Sequence, residues 1–407
     1  MQGTNRERKA WSSIHRWLGL WLGTWFALVG LTGSILVYEE SIDAWLNPRL
    51  LRDHRPGPWL APHEILEHAL EEFPRARVER IHPPATPGEV YRLLVHVAPH
   101  KRLDTQRIEA TFSPATGELL GKRDTEAYGL SAPHLMKTLY DFHRNVLLGS
   151  AGSNIVGLAG FLLLGSALTG ILTALPRKRS GWVRLVGVKL RSGATRALFD
   201  VHRSAGTIAA VLLILATVTG STLVYVNYAR EIVGLFSKVD PFPVIPWREG
   251  PSRDWPSFEQ VVGKVRDAHP GLTISEIHIP AKPTTGYLFY LRGDGDVHRL
   301  GDTIVWVHPT TGELLVERSR RTRTAGESVM HWLFPLHTGS AFGAWGLAAM
   351  CLAGLAPLLL VFTGLWVWMR KRRAEKFEIR RRVHNLARGG ETAKLPTERG
   401  TGSSIYS

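Results

Sequence analysis

Hydrophobic and polar positions fall in long blocks along this chain. Four apolar runs, at about 17–38, 154–175, 204–227 and 343–368, each approach the ~20 residues a helix needs to cross a hydrocarbon core. Two polar segments separate the first run from the second and the third from the fourth, and their periods are shorter. In the first, Ile65, Leu66, Ala69, Leu70 and Phe73 stand at helical spacing within Ala61 to Phe73, with Pro62 near the start. Tyr91 to Val97 and Arg107 to Phe112 read as strands, and Ala115-Thr116-Gly117-Glu118 turns the chain. The second segment repeats this order: a helix over Phe258 to Ala268, strands over Gly286 to Arg292 and Thr303 to Val307, and a turn at Thr311-Gly312. Asp294-Gly295-Asp296 reads as a hairpin tip, having too few oxygen ligands for calcium.

The likeness extends to the letters. Sliding the chain by 187 positions lays His15, Arg16 and Gly19 on His202, Arg203 and Gly206, and Thr32-Gly33-Ser34 on Thr219-Gly220-Ser221. At offset 195, PATGELL from Pro114 meets PTTGELL from Pro309. At 194, Leu168-Thr169-Gly170 meets Phe362-Thr363-Gly364, Lys178-Arg179 meets Arg372-Arg373, and His143 meets His337. Polar and small residues match as well as apolar ones, which shared hydrophobicity alone does not produce. The predicted fold is a mainly α membrane protein, a bundle of four transmembrane helices built as an internal two-fold repeat. Each half carries a small α+β domain with one helix on an antiparallel sheet.

Charge orients this plan. Residues 1–16, 176–203 and 370–407 together hold 23 Lys and Arg against 6 Asp and Glu, a surplus of 17 where the whole chain has +15. Basic residues beside spans stay in the cytoplasm. The chain therefore divides into a cytoplasmic N-terminus (1–10, read as disordered), a first span within 11–38 and an outer domain at 39–150. A span at 154–175, a basic inner loop at 176–203 and a span at 204–227 follow. A second outer domain (228–340), a last span (343–369) and a basic cytoplasmic tail (370–407) complete it. The basicity is thus topological, and nucleic acid is not an expected partner; membrane lipid is. Cys351 is the only cysteine, so disulfides, zinc knuckles, iron–sulfur centres and covalent CxxCH haem attachment are excluded. No glycine-rich nucleotide loop occurs, so any electrons entering must come from another cytoplasmic or membrane molecule.

Four histidines head the spans: His15 and His202 at the inner ends, His143 and His337 at the outer approaches. Ionisable residues at such places are costly without a partner. Two imidazoles from facing helices can fill both axial positions of a non-covalent haem b, so two pairs predict two haems with these four as iron ligands. Gly19 and Gly206 lie four residues beyond their histidines, on the same helix face, where a flat macrocycle could approach the backbone. Arg16 and Arg203 could reach propionates inside, and Arg144 outside. His134 and His331 are alternative ligands or acceptor-side residues. Trp332, Phe334 and Phe342 could contact an acceptor, because the outer domains are nearly neutral in sum.

The motifs HRWLGL followed by LTGSILVY, FHRNVLLG, PRKRSGW and PLHTGSAFG resemble the PepSY-associated transmembrane family, in particular its iron-uptake and ferric-siderophore reductase branch. The resemblance covers Trp11 to Arg373. It implies a bacterial inner-membrane protein with both termini cytoplasmic, PepSY-like periplasmic domains, two b haems on the four histidines, and electron flow from the cytoplasm to periplasmic ferric iron held by a siderophore or other chelate. Thr338 stands where the first half has Arg144, a departure at the outer site. Two further readings remain at this point: a haem relay to another periplasmic acceptor, and a haem-free PepSY regulator or sensor. A transporter is disfavoured, since Pro357 alone interrupts a span.

Overall fold

A computed structural model describes residues 5–97, 106–176, 182–189, 193–241, 255–282 and 285–389. The protein is mostly helical, with four helices long and apolar enough to cross a membrane and one antiparallel sheet. Lys178-Arg179 and the tail after residue 389 lie outside the described residues.

The chain opens on α1 (Asn5–Leu36), then two short helices, α2 (Glu39–Leu46) and α3 (Pro48–Leu51), and α4 (Pro62–Glu72). Strands β1 (Arg77–His82), β2 (Tyr91–Val97), β3 (Gln106–Phe112) and β4 (Leu119–Asp124) follow, then α5 (Ala132–Asn145) and the second span α6 (Gly149–Ala174). After the short α7 (Val183–Val186), the third span α8 (Ala194–Val224) leads through α9 (Val226–Gly234) and α10 (Phe258–Ala268) to more strands. These are β5 (Thr273–His278), β6 (Tyr287–Arg292), β7 (Thr303–Val307) and β8 (Leu314–Arg318); α11 (Ala325–Thr338) and the last span α12 (Gly343–Gly389) close the chain.

The spans outrun their apolar parts at the basic end. The disorder expected of residues 1–10 does not hold past Asn5, because helical geometry continues and Arg8 donates to the Thr173 carbonyl of α6 at 2.5 Å. Close packing depends on small residues. A Cβ on Gly30 would lie 2.4 Å from the Gly354 carbonyl oxygen, and beside it Ser34 donates across the helices to Cys351 O at 2.8 Å. On α8, Ser221 donates to Gly157 O of α6 at 3.2 Å.

All eight strands form one sheet in the order β4-β3-β2-β1-β5-β6-β7-β8. Its seam is β1 against β5, with Ile81 opposite Ile277, and the order of strands runs outward alike from both sides of that seam. One face is apolar: Ile81, Leu93, Val95, Ile277, Phe289 and Val305 are fully buried beneath Ile65 and Ala69 of α4 and Val261 and Val265 of α10. Segments 39–150 and 228–340 therefore share one core and one sheet. The helices on it are capped as their sequences demand. Ser257 and Gln260 exchange side-chain to backbone hydrogen bonds at the start of α10, as do Thr324 and Glu327 at the start of α11. The opposite face carries ions and looks toward α5, α11 and the spans. Arg123 of β4 binds Asp43 of α2 at 2.8 Å and Glu109 at 2.5 Å, fastening the sheet to the helix that continues from the first span.

Candidate functional site: two histidine pairs

The four span-heading histidines come together as two pairs on two levels. His15 of α1 faces His202 of α8 with ring centres 6.1 Å apart, and His143 of α5 faces His337 of α11 at 6.2 Å. The first pair lies toward the basic end, the second at the sheet end.

Each ring is held the same way. Its Nδ1–H donates to a backbone carbonyl of a neighbouring span: His15 to Ser166 (2.9 Å), His143 to Val29 (3.0 Å), His202 to Leu360 (3.0 Å) and His337 to Ala216 (3.1 Å). Three residues after each carbonyl stands a threonine and then a glycine: Thr169-Gly170, Thr32-Gly33, Thr363-Gly364 and Thr219-Gly220. The threonine hydroxyl donates back to the same carbonyl the histidine uses. At Thr32, Thr363 and Thr219 the hydroxyl oxygen also lies within 3.3 Å of the imidazole Nδ1. The glycine leaves room for the ring, since a Cβ would stand 2.8 Å from His143 or His337 and 3.1 Å from His15 or His202. One Thr-Gly step per span thus seats one histidine from another helix.

This fixes the tautomer. With the proton on Nδ1, the Nε2 lone pair of every ring is free to ligate, and among the described residues no hydrogen bond uses it. Two imidazoles that each bound one ion through a nitrogen at ~2.0 Å would have ring centres roughly 6.2 Å apart. Aromatic edge contacts also occur near 6 Å. The four occupied Nδ1 atoms distinguish the two cases, because simple packing has no need to bind all four rings by the same nitrogen. Gly19 adds a cradle: a Cβ there would meet nothing within 4 Å, so one turn beyond His15 the helix borders open space. At Gly206 the nearest atom is Leu360 Cδ2 at 3.4 Å. The donor set and the spacing fit two haem groups; among the described residues there is no cluster of three or more ligating side chains for a bare metal ion.

Tight turns place the outer rings. After α5, Val146 and Leu147 both take positive φ (51° and 62°), a strained reversal that brings α6 back within three residues of Asn145. A Cβ on Gly152 would fall 1.7 Å from the Asn145 carbonyl oxygen. After α11 the same reversal is made with glycine, at Gly339 and Gly343.

The family model of the PepSY-associated TM region matches residues 12–371. The chain belongs to that family. No curated protein matches the sequence.

Other residues of this PepSY-associated protein fall around the pairs. Arg203 binds Asp200 at 3.0 Å and donates to Gly187 O at 2.9 Å, while its Nε is buried without a partner among the described residues. Arg16 lies over the Trp17 ring, and Arg144 is exposed. His331 is engaged elsewhere: its Nε2 meets Asp302 at 2.7 Å and its ring stands 5.2 Å from His298. Burial alone would raise the Asp302 carboxyl, but hydrogen bonds from His331 and Arg320 overcome it and hold the group down at about 2. His134 makes neither ring pair. Trp332, Phe334 and Phe342 are exposed at the sheet end. The threonine–glycine steps are the ring-seating residues that sequence reasoning passed over. They were legible as repeat markers, yet their task depends on which helix lies beside which.

Proposed function

We propose that this protein is a di-haem b membrane reductase, built as an internal two-fold repeat with PepSY-like domains. It passes electrons from the cytoplasmic side of a bacterial inner membrane to periplasmic ferric iron held by a siderophore or other chelate. The observation that carries this reading is the pair of facing imidazoles repeated on two levels, each ring bound through Nδ1 and offering Nε2. A haem held by two such imidazoles would supply a one-electron carrier.

The chain's own residues do the rest. His15 with His202, and His143 with His337, would hold the two groups. The carbonyls of Ser166, Leu360, Val29 and Ala216 keep each imidazole protonated on Nδ1 and make it a stronger donor through Nε2. Arg203, with one unpartnered nitrogen, suits a propionate at the basic end. The basic segments keep that end inside, and the sheet end then meets the acceptor. Reduction releases iron because Fe(II) is bound less tightly than Fe(III) by hard oxygen ligands.

The test is direct. Purified protein from haem-replete cells should show low-spin b-type bands, with two acid-extractable haems per chain. Once chemically reduced, it should be reoxidised by ferric chelates with capture of Fe(II). A colourless protein overturns the haem reading and favours a regulatory or sensory role. Haems that ignore ferric chelates but discharge to a periplasmic redox protein point to a relay.

A further inference from the structure

The polar face of the sheet, the segment after β4 and Lys137 of α5 line an open cleft of about 400 Å³. Its walls carry four cationic side chains, Arg80, Arg92, Arg107 and Lys137, against two carboxylates, Glu109 and Glu126. Glu109 is already neutralised by Arg123 at 2.5 Å. Two of these cations are closely paired, Arg107 with Glu79 at 2.8 Å and Lys137 with Asp141 on its own helix, and the other two are not. Arg80 reaches Glu276 and Glu79 only at 3.5 and 3.7 Å, and Arg92 reaches Glu40 only at 3.9 Å. The Nε–H groups of Arg80 and Arg107 are buried with no acceptor among the described residues. Buried donors without acceptors are uncommon and costly, and guanidinium groups are matched by oxyanions. Burial keeps His82 on the cleft wall neutral, pushed down to about 3, with its Nε2 turned to Glu276 at 3.1 Å, so it adds no charge to the cleft.

The fold does not require this charge. At the matching places in the other half of the sheet stand Glu276, fourth in β5 as Arg80 is fourth in β1, and Leu288, second in β6 as Arg92 is in β2. Lys137 lies six residues before His143, and the residue six before His337 is His331. Two similar scaffolds thus carry different charge at these positions, while the second half gathers its own arginines, Arg320 and Arg323, around Asp302. Lys137 and His143 share α5, about 9 Å apart along its axis. The cleft is thus lined by the same helix that carries His143, under two turns from it.

We propose that this cleft binds a small, multiply charged oxyanion, and, resting on the reductase reading above, that the acceptor is an anionic ferric chelate whose iron is held by carboxylate or catecholate oxygens. The near-neutral sum of the outer segments, which favoured aromatic recognition, conceals this local concentration of positive charge.

Gallium(III) citrate tests the site without chemistry, because gallium(III) accepts no electron under these conditions. Titrated by calorimetry into the full chain in zwitterionic lipid discs, it should bind saturably and more weakly as salt rises. Binding should fall about tenfold in Arg92→Gln and further in Arg92→Gln/Lys137→Gln. Arg92 is the weakly paired cation, so its loss should spare folding, checked by unchanged melting and an unchanged haem spectrum. Absent binding, or equal binding by wild type and both variants, overturns the site. So does binding seen in zwitterionic discs but abolished in phosphatidylglycerol discs, which would assign the cations to lipid headgroups. Gallium citrate that binds while ferric citrate fails to reoxidise the reduced protein leaves the site standing and removes the reductase reading. Ferric citrate that reoxidises wild type and the double variant equally does the reverse.

Discussion

Every imidazole in the two pairs is placed by a glycine on a different helix, so the smallest side chain controls the largest claim. Gly33→Val would drive a branched side chain into the ring of His143, whose nearest atom lies 2.8 Å from a Cβ at that position. On the proposed function, the expected result is loss of the outer haem with the inner one retained, read as haem stoichiometry falling from two to one. Gly19→Leu makes the opposite kind of test. A Cβ there meets no protein atom, so helix stability should hold or rise by up to ~1 kcal/mol, while the inner haem spectrum shifts or disappears because the cradle is filled. An unchanged spectrum would place the group elsewhere. The histidines and Gly19 were legible because duplication made them stand out. The Thr-Gly steps were not, because their meaning is a relation between helices, and a sequence contains no neighbour list. A third residue-scale test concerns pH. Burial, then the nearby His331 and Arg299, push the His298 ring down to about 4, from an ordinary 6.5. The unfolded chain therefore binds a proton first as pH falls, and stability present above pH 6.5 should be lost progressively down to pH 4, on the order of 1–2 kcal/mol. Melting curves at pH 7 and 5 should differ for wild type and by less for His298→Phe, where His82, pushed down to about 3, still contributes.

Among the elements, spans and amphipathic helices announced themselves, and the central strands did not. The sequence RVERIH of β1 and TISEIH of β5 alternate weakly, since one face of each strand serves an ion network rather than a core. Glu276, 2% exposed, sits among Arg80, His82 at 3.1 Å and a hydrogen-bonded His278. Polar strands of this kind are recognised only once their partners are known, and the joining of the two outer segments through Ile81 and Ile277 was invisible for the same reason. The sheet's grip on the spans can be tested at Asp43. Removing this carboxylate leaves Arg123, 14% exposed, with Glu109 as its remaining charged partner. Breaking a buried pair outright costs ~3–5 kcal/mol, and less where a second carboxylate stays in place. Asp43→Ala should lower the unfolding temperature of the sheet by a few degrees, while Arg123→Met/Asp43→Leu/Glu109→Leu, which removes all three charges, should recover much of it. Equal melting of Asp43→Ala and wild type would show that the sheet is held by other contacts.

At the scale of the whole molecule, the two levels are separated by a fixed length of helix. Val29, which holds His143, lies 14 residues after His15 on α1, and Ala216, which holds His337, lies 14 residues after His202 on α8. At ~1.5 Å per residue the levels stand about 21 Å apart, some two thirds of a ~30 Å hydrocarbon core. An electron moved between them on the proposed function crosses most of the membrane field, worth ~2.3 kcal/mol per 100 mV for the full thickness, hence roughly 1.5 kcal/mol here. In half-reduced protein oriented in vesicles, a potassium diffusion potential of 100 mV, negative at the basic end, should shift the electron toward the sheet end by roughly tenfold. The shift should reverse with the sign of the potential and vanish in His15→Ala, where the inner site is lost. If the distribution ignores the potential in wild type, both sites lie at one depth, and transfer across the membrane is not what this bundle does.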